Sequence, residues 1–373
     1  MKILIVDTYY SGFLISFWGG NQELIKSTNY EQIKGLLESR FGTSDYYSYN
    51  LKSLGHKVFD IIANDQISQL SWAREQSVQV KGQKIIDALS QIPIINHFVK
   101  SKNWINKIFL SQLTYYRPDV VYLQDLSIFK PSTLAQIKKT AFLVGQIASP
   151  LPAKEYLTEF GLILTSFPHY VTKLRKMGIN SEYLKIGFES RVVKELGKLK
   201  KKYGVSFVGS FTGDHIEGTR TLEQLAKTVP VHVWGRGIES LSPDSPLRQN
   251  YHGEAWGIDM YKIFASSKIV INRHSQAAQK YANNMRLYES TGMGSLLVTD
   301  YKENLDELFK LDKEVVCYRN AGELIDKVQY FLTHDKDREK IALAGQKRTL
   351  KDHTYAKRMR ELITIIKSYY DIN

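Results

Sequence analysis

Short apolar runs alternate with helical segments along the whole chain, and this alternation constrains the fold more than any other feature of the sequence. Short runs of this kind are typical of strands that are buried on both faces of a parallel sheet. They span residues 2–7, 55–60, 118–123, 140–146 and 162–165 in the first half, and residues 204–209, 231–235, 268–272, 295–299 and 314–318 in the second half. The pattern predicts an α/β protein in which helices wrap parallel sheets.

The chain is too long for one ordinary hydrophobic core, since single cores stop growing at about 250–300 residues. It has 373 residues, of which 43% are hydrophobic. A lysine-rich connector that includes Lys194, Lys198 and Lys200 separates the two sets of strands. We therefore predict two doubly wound, Rossmann-like domains at residues 1–190 and 203–353, followed by a C-terminal helix at residues 354–373. Two such domains facing a cleft would bind a ligand in that cleft.

The composition predicts a cytoplasmic protein. A single cysteine, Cys317, excludes a disulfide framework within the chain and fits a reducing compartment. Residues 3–6 are too few apolar residues for a signal peptide, and no apolar stretch approaches the roughly 18 residues that a spanning helix needs. Residues 92–110 mix aromatic and lysine side chains, which leaves two interpretations open. The segment is either a peripheral contact with the inner face of the membrane or a core helix with a lysine-rich outer face.

Positive charge exceeds negative charge, with 51 lysines and arginines against 38 acidic residues and a net charge of +13. Such a surface can meet nucleic acid, anionic lipid or a phosphorylated glycan carrier, or it can simply be solvated. Because no zinc-finger spacing or RNA-recognition signature occurs, we expect no nucleic-acid partner. Asp335-Lys336-Asp337 lies at a predicted helix start, where acidic residues are favourable for structural reasons. No Cys/His cluster suggests zinc, so we expect no bound metal and no cofactor.

Residues 283–300 are the most informative segment for function. They predict a helix, a glycine stop at Gly292 and Gly294, and the buried strand 295–299. Arg286 and Glu289 are three residues apart and therefore share one helix face. Asp300 follows at the carboxyl end of the strand, where open α/β sheets bind their ligands. The segment thus presents a cation and carboxylates where a nucleotide would lie.

This segment resembles the donor-binding segment of two-domain (GT-B) glycosyltransferases. The resemblance is closest to the bacterial group related to the spore-maturation protein CgeB, within the group 1 glycosyl transferases. In that group an Arg-x-x-Glu pair precedes a small glycine-containing segment, a hydrophobic strand and an aspartate. The resemblance covers the last hundred residues well and the rest weakly. It continues through Glu307, Leu308, Phe309, Tyr318, Glu323 and Leu324, and through the motifs Ile341-Ala342-x-x-Gly345-x-x-Arg348 and His353-Thr354-Tyr355-x-x-Arg358.

The resemblance implies that the second domain binds a nucleotide-sugar donor while the first domain shapes the acceptor site. Glu289 would accept hydrogen bonds from the ribose hydroxyls, since a carboxylate has two oxygens that only accept. Arg286 would face the leaving diphosphate, whose charge grows in the transition state. Arg273 and His274 follow a predicted strand at its carboxyl end, so they are further candidates for the same site.

Two loops are also implicated by the resemblance. It places a phosphate-facing loop at residues 209–213, where Gly209, Ser210 and Thr212 are the candidate residues; a glycine-rich turn ahead of a helix can offer N–H groups to phosphate. It places residues 235–237 near the base, with Arg236 as the candidate. The C-terminal helix in this fold often crosses back onto the first domain, and packing on its own domain is the alternative. One departure is Tyr281, which stands where many retaining enzymes have a second glutamate, so retention of configuration is not carried over.

The first domain would have to supply a base if the enzyme inverts, because the acceptor hydroxyl must lose its proton. Asp125, which follows Val-Val-Tyr-Leu-Gln, is the best candidate catalytic residue. The glycine-rich segment 8–20 is predicted to be a loop that borders the acceptor. Other polar or flexible positions near predicted strand ends and loops are Asp7, Tyr10, Gly12, Gln146, Ser149 and His169.

Together these features predict a metal-independent, hexosyltransferase-like glycosyltransferase. It would move a sugar from a nucleoside-diphosphate sugar to a hydroxyl of a glycan, lipid-linked or protein acceptor, in bacterial surface glycan or glycoconjugate synthesis. Two alternatives remain open. A nucleotide-sugar epimerase can use the same fold without a separate acceptor, and a protein of this fold can bind nucleotide sugars without turnover.

Overall fold

The structure is a computed structural model that describes residues 1–80, 103–211 and 216–371. It contains two compact units. The first unit comprises Met1–Leu184 together with the C-terminal segment from Met359 onward, and the second unit comprises Lys185–Arg358. Two parallel α/β units of this kind form the predicted two-domain, Rossmann-like fold.

The first unit is built on a six-stranded parallel sheet with the order β2-β1-β3-β4-β5-β6. The sequence predicted five of these strands and missed β6, a short edge strand whose Ser-Glu-Tyr sequence has no apolar pattern. The strands are β1 (Lys2–Asp7), β2 (Lys57–Ile62), β3 (Val120–Leu123), β4 (Phe142–Ile147), β5 (Leu162–Thr165) and β6 (Ser181–Tyr183).

Seven described helices cover this sheet, and local sequence signals explain several of their starts. Thr28 and Glu31 form a capping box at the second helix, and Asp65 accepts a hydrogen bond from Ser68 N at the fourth. The helices are α1 (Ser11–Gly20), α2 (Asn29–Glu38), α3 (Tyr46–Ser53), α4 (Gln66–Glu75), α5 (Asn103–Tyr116), α6 (Pro131–Lys138) and α7 (Pro168–Lys176).

The prediction of a loop at residues 8–20 was wrong, because most of this segment is helix α1. Of its three glycines, Gly12 lies in the first turn and Gly19 and Gly20 lie at the end, so none is in the middle of the helix. Phe13, Leu14 and Trp18 are buried, and the Trp18 Nε1 group donates to Asp65 Oδ1 over 2.8 Å. Burial of these large side chains outweighs the low helix propensity of the terminal glycines.

The second unit contains a five-stranded parallel sheet with the order β11-β10-β9-β7-β8. From β7 the chain adds β8 on one side and then β9 on the other side. The strand order therefore switches between β7 and β9, at the kind of position where open α/β sheets bind ligands. The strands are β7 (Tyr203–Val208), β8 (Val231–Trp234), β9 (Ser267–Asn272), β10 (Leu296–Asp300) and β11 (Val316–Tyr318). The described helices are α8 (Arg191–Leu196), α9 (Ile216–Ala226), α10 (Gly257–Ala265), α11 (Arg286–Gly292), α12 (Leu305–Leu308), α13 (Ala321–Thr333) and α14 (Asp335–Asp352).

The C-terminal helix α15 (Tyr355–Tyr370) begins in the second unit and continues in the first. At its start, Tyr355 N donates to Phe188 O over 3.0 Å within the second unit. Further along, Met359, Leu362 and Ile366 are buried, and Tyr369 OH donates to Glu182 Oε1 over 2.6 Å within the first unit. One continuous helix therefore belongs to both units.

The segment 92–110 lies partly outside the described residues. Its described part belongs to α5, where Ile105, Ile108 and Phe109 are buried in the core. Within the described ranges, no helix combines the length and the apolar character needed to cross a membrane.

Candidate functional site

The structure gathers most of the predicted donor-site residues at one edge of the second sheet. This edge is formed by the carboxyl ends of its strands, with Gly209 and Ser210 after β7, Arg236 after β8, and Arg273 and His274 after β9. The first turn of α11, which contributes Arg286 and Glu289, lies beside the same edge, because Arg286 Nε donates to Val208 O over 3.0 Å. Thr212 lies outside the described residues.

The two predicted glycine loops pack directly against each other. Gly209 N donates to Trp234 O over 3.0 Å, and Phe211 N donates to Arg236 O over 2.9 Å. Gly235 has a φ of +139°, and a Cβ atom there would lie 1.8 Å from Gly209 O. Only glycine fits this close approach, so the loops after β7 and β8 form one rigid backbone surface, with Arg236 exposed beside it.

Arg273 is buried and braces the loop after β7. Its Nη1 donates to Thr219 Oγ1 over 2.5 Å and its Nη2 donates to Ser210 O over 2.7 Å. The guanidinium also lies over the rings of Phe207 and Phe211, at 4.9 and 5.5 Å from their centres. Burial lowers the pKa of Arg273 to about 10. These contacts occupy the side chain with protein partners and give it a structural role at this edge.

Arg286 and Glu289 form the ion pair that their spacing predicted. Arg286 Nη1 pairs with Glu289 Oε2, and Tyr261 OH donates to Glu289 Oε1 over 3.4 Å. The Glu289 side chain is only 2% exposed, whereas that of Arg286 is 29% exposed. The carboxylate is therefore held in place from within the protein, and the arginine is the member of the pair that solvent reaches.

His274 and Asp300 form a second pair at the ends of β9 and β10. Asp300 Oδ1 lies 2.7 Å from His274 Nδ1 and accepts from His274 N over 3.1 Å. The imidazole is fully buried, and its Nε2 atom has no hydrogen-bond partner among the described residues. Burial acts to raise the pKa of Asp300, but the nearby His274 and Lys302 outweigh it, and the pKa ends below its usual range. Asp300 is thus a stable anion that orients the loop after β9.

A cavity of about 680 Å³ lies over the ends of β9, β10 and β11. The N-terminal turns of α9 and α13 border it, so two helix dipoles present their positive ends there. Lys302 and Arg319 add two cations. The polar and charged residues of the lining that the sequence analysis did not select are Glu217, Thr221, Ser275, Gln276, Gln279, Tyr301, Lys302, Arg319 and Asn320. Several of them directly follow the predicted carboxyl ends of β10 and β11. That position in the sequence could have identified them as candidate ligand-binding residues.

Asp125 lies in the first unit, immediately beyond β3. Its Oδ1 atom accepts from Ser127 N over 2.9 Å and from Ser127 Oγ over 2.8 Å, as in a local aspartate turn. Thr8 Oγ1 donates to its Oδ2 atom over 3.4 Å. The predicted base therefore sits at the carboxyl edge of its sheet with one oxygen engaged in the turn.

Asp335 and Asp337 occupy the first turn of α14. Asp335 pairs with Arg338 and, over 3.3 Å, with Lys268, while Tyr330 OH donates to Asp337 Oδ2 over 2.6 Å. Within the described ranges, no group of three His, Cys, Asp or Glu side chains is placed to hold a metal ion, in this turn or in any other part.

Comparisons with known proteins show what this part of the chain is similar to. Residues 218–364 match the model of a family described as glycosyl transferase-like. This stretch contains Arg273, His274, the Arg286–Glu289 pair and most of the cavity lining. A search of curated proteins by sequence finds no match.

The solved structures that the chain resembles cover both units. Sucrose-phosphate synthase from Thermosynechococcus elongatus has a TM-score of 0.61 at 10% identity, with 100% of each chain covered. Anabaena HepE in complex with UDP and glucose has a TM-score of 0.61 at 12% identity, with 99% of this chain and 100% of that chain covered. A glycosyltransferase from Rickettsia africae has a TM-score of 0.58 at 15% identity, with coverages of 99% and 98%. These likenesses confirm the predicted GT-B fold. The family match agrees with the predicted resemblance to glycosyl transferases over residues 218–364 and does not single out the CgeB-related group.

Proposed function

We propose that the protein transfers a sugar from a nucleoside-diphosphate sugar to a hydroxyl acceptor. The observation that carries this proposal is the match of residues 218–364 to the glycosyl transferase-like family, because the match spans the cationic edge and its cavity. HepE, which shares the fold at low identity, has been solved with UDP-glucose, and a donor of that chemical class fits the edge described here.

The electrostatics of the cavity support a diphosphate ligand. Lys302 and Arg319 border it together with the amino ends of α9 and α13, and all four features favour an anion. In this proposal they stabilise the charge that develops on the leaving diphosphate, which is a role that a metal ion fills in other transferases. A volume of about 680 Å³ falls within the range of small-molecule sites.

The Arg286–Glu289 pair would hold the nucleoside. Arg286 is the reachable member, so it would contact the donor first and loosen its bond to Glu289. The carboxylate could then accept from the ribose hydroxyls, as the resemblance implies. The cost of exposing one charge-assisted bond would be offset by the new bonds to the nucleotide.

The proposal also extends to the acceptor. A glycan, lipid-linked or protein hydroxyl in bacterial surface glycan synthesis is consistent with the net charge of +13, since such carriers are often phosphorylated. The proposed reaction is hexosyl transfer without a metal ion.

A ligand panel tests the proposal directly. Thermal unfolding should be measured with UDP, GDP, TDP and CMP and with their common sugar conjugates, since a ligand that binds the folded state raises its stability. We expect one nucleotide family to raise the melting temperature, and its sugar conjugate to be consumed only when an acceptor is present. Conversion of the donor without acceptor would indicate an epimerase, and binding without any turnover would indicate a non-catalytic protein.

The Glu289→Gln variant tests the nucleoside contact. We expect about a tenfold rise in the Kd of the nucleotide identified by the panel, corresponding to about 1.4 kcal/mol for a lost charge-assisted bond. Calorimetric titration would measure it, with Glu339→Gln as the control, because Glu339 is 76% exposed on α14. An unchanged Kd in a folded Glu289→Gln protein would remove this residue from the donor site.

A further inference from the structure

Three polar residues lie side by side at the carboxyl edge of the first sheet. Val6 pairs with Leu123, and Leu123 pairs with Gly145, so the next residues, Asp7, Gln124 and Gln146, form a row across β1, β3 and β4. Residues in register share one face of a sheet. This polar row (Asp7, Gln124 and Gln146) replaces the apolar side chains that cover the rest of the sheet.

The polar row has too few donors for its acceptors. Thr43 Oγ1 lies 3.2 Å from Asp7 Oδ2 and 3.0 Å from Gln124 Oε1, yet a hydroxyl has one proton and can donate to only one of them. Tyr47 OH donates to Gln146 Oε1 over 2.8 Å, so that acceptor is satisfied. Asp7 Oδ1 also accepts from Thr8 N over 2.7 Å, so each oxygen of Asp7 has at most one donor and keeps a lone pair that a ligand hydroxyl can fill.

Two further polar groups also lack hydrogen-bond partners within the described residues, one on Gln124 in the polar row and one on the nearby Tyr9. Among the described residues, nothing accepts from Gln124 Nε2 or pairs with Tyr9 OH, although both atoms are buried. Tyr9 is 2% exposed, and its pKa is raised by burial and then by the charge of Asp7, which places its hydroxyl within electrostatic reach of that carboxylate. A ligand hydroxyl both donates and accepts, so it matches this set of unfilled groups.

The charges that face Asp7 are negative. Asp60 on β2 and Asp125 after β3 are the acidic neighbours, and no lysine or arginine pairs with Asp7 among the described residues. The nearby cations are directed to other carboxylates. Arg40 pairs with Asp45 over 2.7 Å, and the charge of Lys52 lowers the pKa of Asp60. Burial, followed by these like charges, raises the pKa of Asp7 to about 7, so the group can hold or release a proton near neutral pH.

We propose that Asp7 binds the acceptor hydroxyl in the first unit and takes up its proton, with Thr43, Gln124 and Tyr9 completing the hydroxyl site. This inference rests on the proposed function. It assigns the base to Asp7, which the sequence analysis listed only among other polar positions, and not to Asp125. A lone pair of the acceptor oxygen forms the bond to the anomeric carbon, and the electron pair of the O–H bond stays on that oxygen as the proton moves to Asp7. The bond from that carbon to the diphosphate breaks, and its electron pair leaves with the diphosphate.

The geometry favours Asp7 over Asp125 as the base. Asp125 Oδ1 already accepts from both the N and the Oγ of Ser127, which ties that oxygen into a turn. Asp7 is partly exposed, lies within the polar row and shares its donors with an acceptor that competes for them. An acceptor hydroxyl can therefore approach Asp7 without breaking a local turn, which it could not do at Asp125 Oδ1.

The kinetic test compares two variants with the wild type. Asp7→Asn should leave nucleotide-induced stabilisation unchanged, reduce transfer by at least about 100-fold and abolish the acidic limb of the pH profile of kcat/KM. Asp125→Asn should retain the limb but move it to lower pH, because a like charge near Asp7 is removed. Transfer by Asp7→Asn within threefold of wild type, with the limb intact, would overturn the proposal. Loss of transfer in Asp125→Asn alone would overturn it as well.

A second readout needs no turnover and separates this inference from the proposed function. Saturation-transfer NMR with glucose, galactose and N-acetylglucosamine at pH 8 should detect binding of at least one sugar to the wild type. We expect Asp7→Asn to weaken that binding about tenfold or more and Glu38→Gln, an exposed control on α2, to leave it unchanged. Equal binding by Asp7→Asn, or no sugar binding by the wild type, would count against the hydroxyl site even if nucleotide binding succeeds.

Discussion

The carboxyl edges of the two sheets share a parallel architecture but differ in how they treat their carboxylates. At the second edge, Glu289 pairs with Arg286, and Asp300 pairs with His274 and lies 3.5 Å from Lys302. At the first edge, the hydrogen-bond donors to Asp7 within the described part of the chain are Thr43 Oγ1 and Thr8 N, and Asp60 and Asp125 are nearby. The carboxylates at the second edge therefore have basic partners, whereas Asp7 at the first edge has acidic neighbours and no paired cation among the described residues.

The difference shows what each edge is suited to do. A cationic edge with paired carboxylates attracts anions and fixes their orientation without changing protonation. An edge whose aspartate has a pKa of about 7 can exchange a proton near neutral pH, at a cost in stability. The two proposed roles, donor binding and proton transfer, call for opposite electrostatics, and in the proposal each sheet supplies one of them.

The largest expected effect is on the free energy of unfolding, and it tests whether Asp7 differs from the carboxylates of the second edge. The folded pKa of Asp7, about 7, lies well above the ordinary pKa of an aspartate, 3.8, so ionisation disfavours the folded state. The wild type should lose stability relative to Asp7→Asn as the pH rises from about 4 to 7. Above pH 7 the variant should be more stable by about 4 kcal/mol, at about 1.4 kcal/mol per pH unit, and below pH 4 the two should match.

Urea unfolding of both proteins from pH 4 to pH 8 would measure this difference. A constant difference across that range would show that Asp7 titrates normally, and the contrast between the two edges would then disappear.

Arg273 tests whether the cationic edge is rigid. Arg273→Ala should lower the free energy of unfolding by about 3 kcal/mol, because it removes two hydrogen bonds and the packing on Phe207 and Phe211. Arg220→Ala on the exposed side of α9 is the matched control and should stay within about 0.5 kcal/mol. If both variants unfold alike in urea, Arg273 does not brace the loop after β7.

Asp300 should show the opposite pH dependence to Asp7, with a smaller effect. Its folded pKa is lowered, so its stabilising contribution is present above the unfolded pKa and is lost as the pH falls through the folded value. Asp300→Asn should therefore cost about 1 kcal/mol at pH 7 and progressively less in acid. Urea titrations from pH 7 down to about pH 2.5 would show this trend, because the loss lies below the unfolded pKa. A cost that grows in acid would mean that the His274–Asp300 pair does not stabilise the folded state.

Much of the fold could be predicted because buried parallel strands leave a strong local pattern. Strands β1 and β5 were predicted with their observed ends, and the Arg286–Glu289 pair followed from a spacing of three residues on a helix. The edge strand β6 and the helix α1 were missed. The first lacks an apolar pattern, and the second depends on burial of Trp18 against Asp65, which is distant in sequence.

The roles of site residues were harder to predict than their positions. Arg273 and Arg286 are both arginines near strand ends, yet only the structure shows that the first is enclosed by Thr219 and Ser210. The polar row was hidden for a related reason. Asp7, Gln124 and Gln146 are far apart in the sequence, and only the pairing register of three strands brings them together.

Helix α15 has a consequence for how the chain acquires its structure during synthesis. The ribosome must translate the whole of Lys185–Arg358 before it supplies Met359, Leu362 and Ile366, which the first unit buries. The nascent first unit therefore waits with an uncovered apolar surface while the second unit emerges. An expression clone of the first unit alone would need residues 359–371 joined after residue 184, because a simple truncation there would leave that surface open to aggregation.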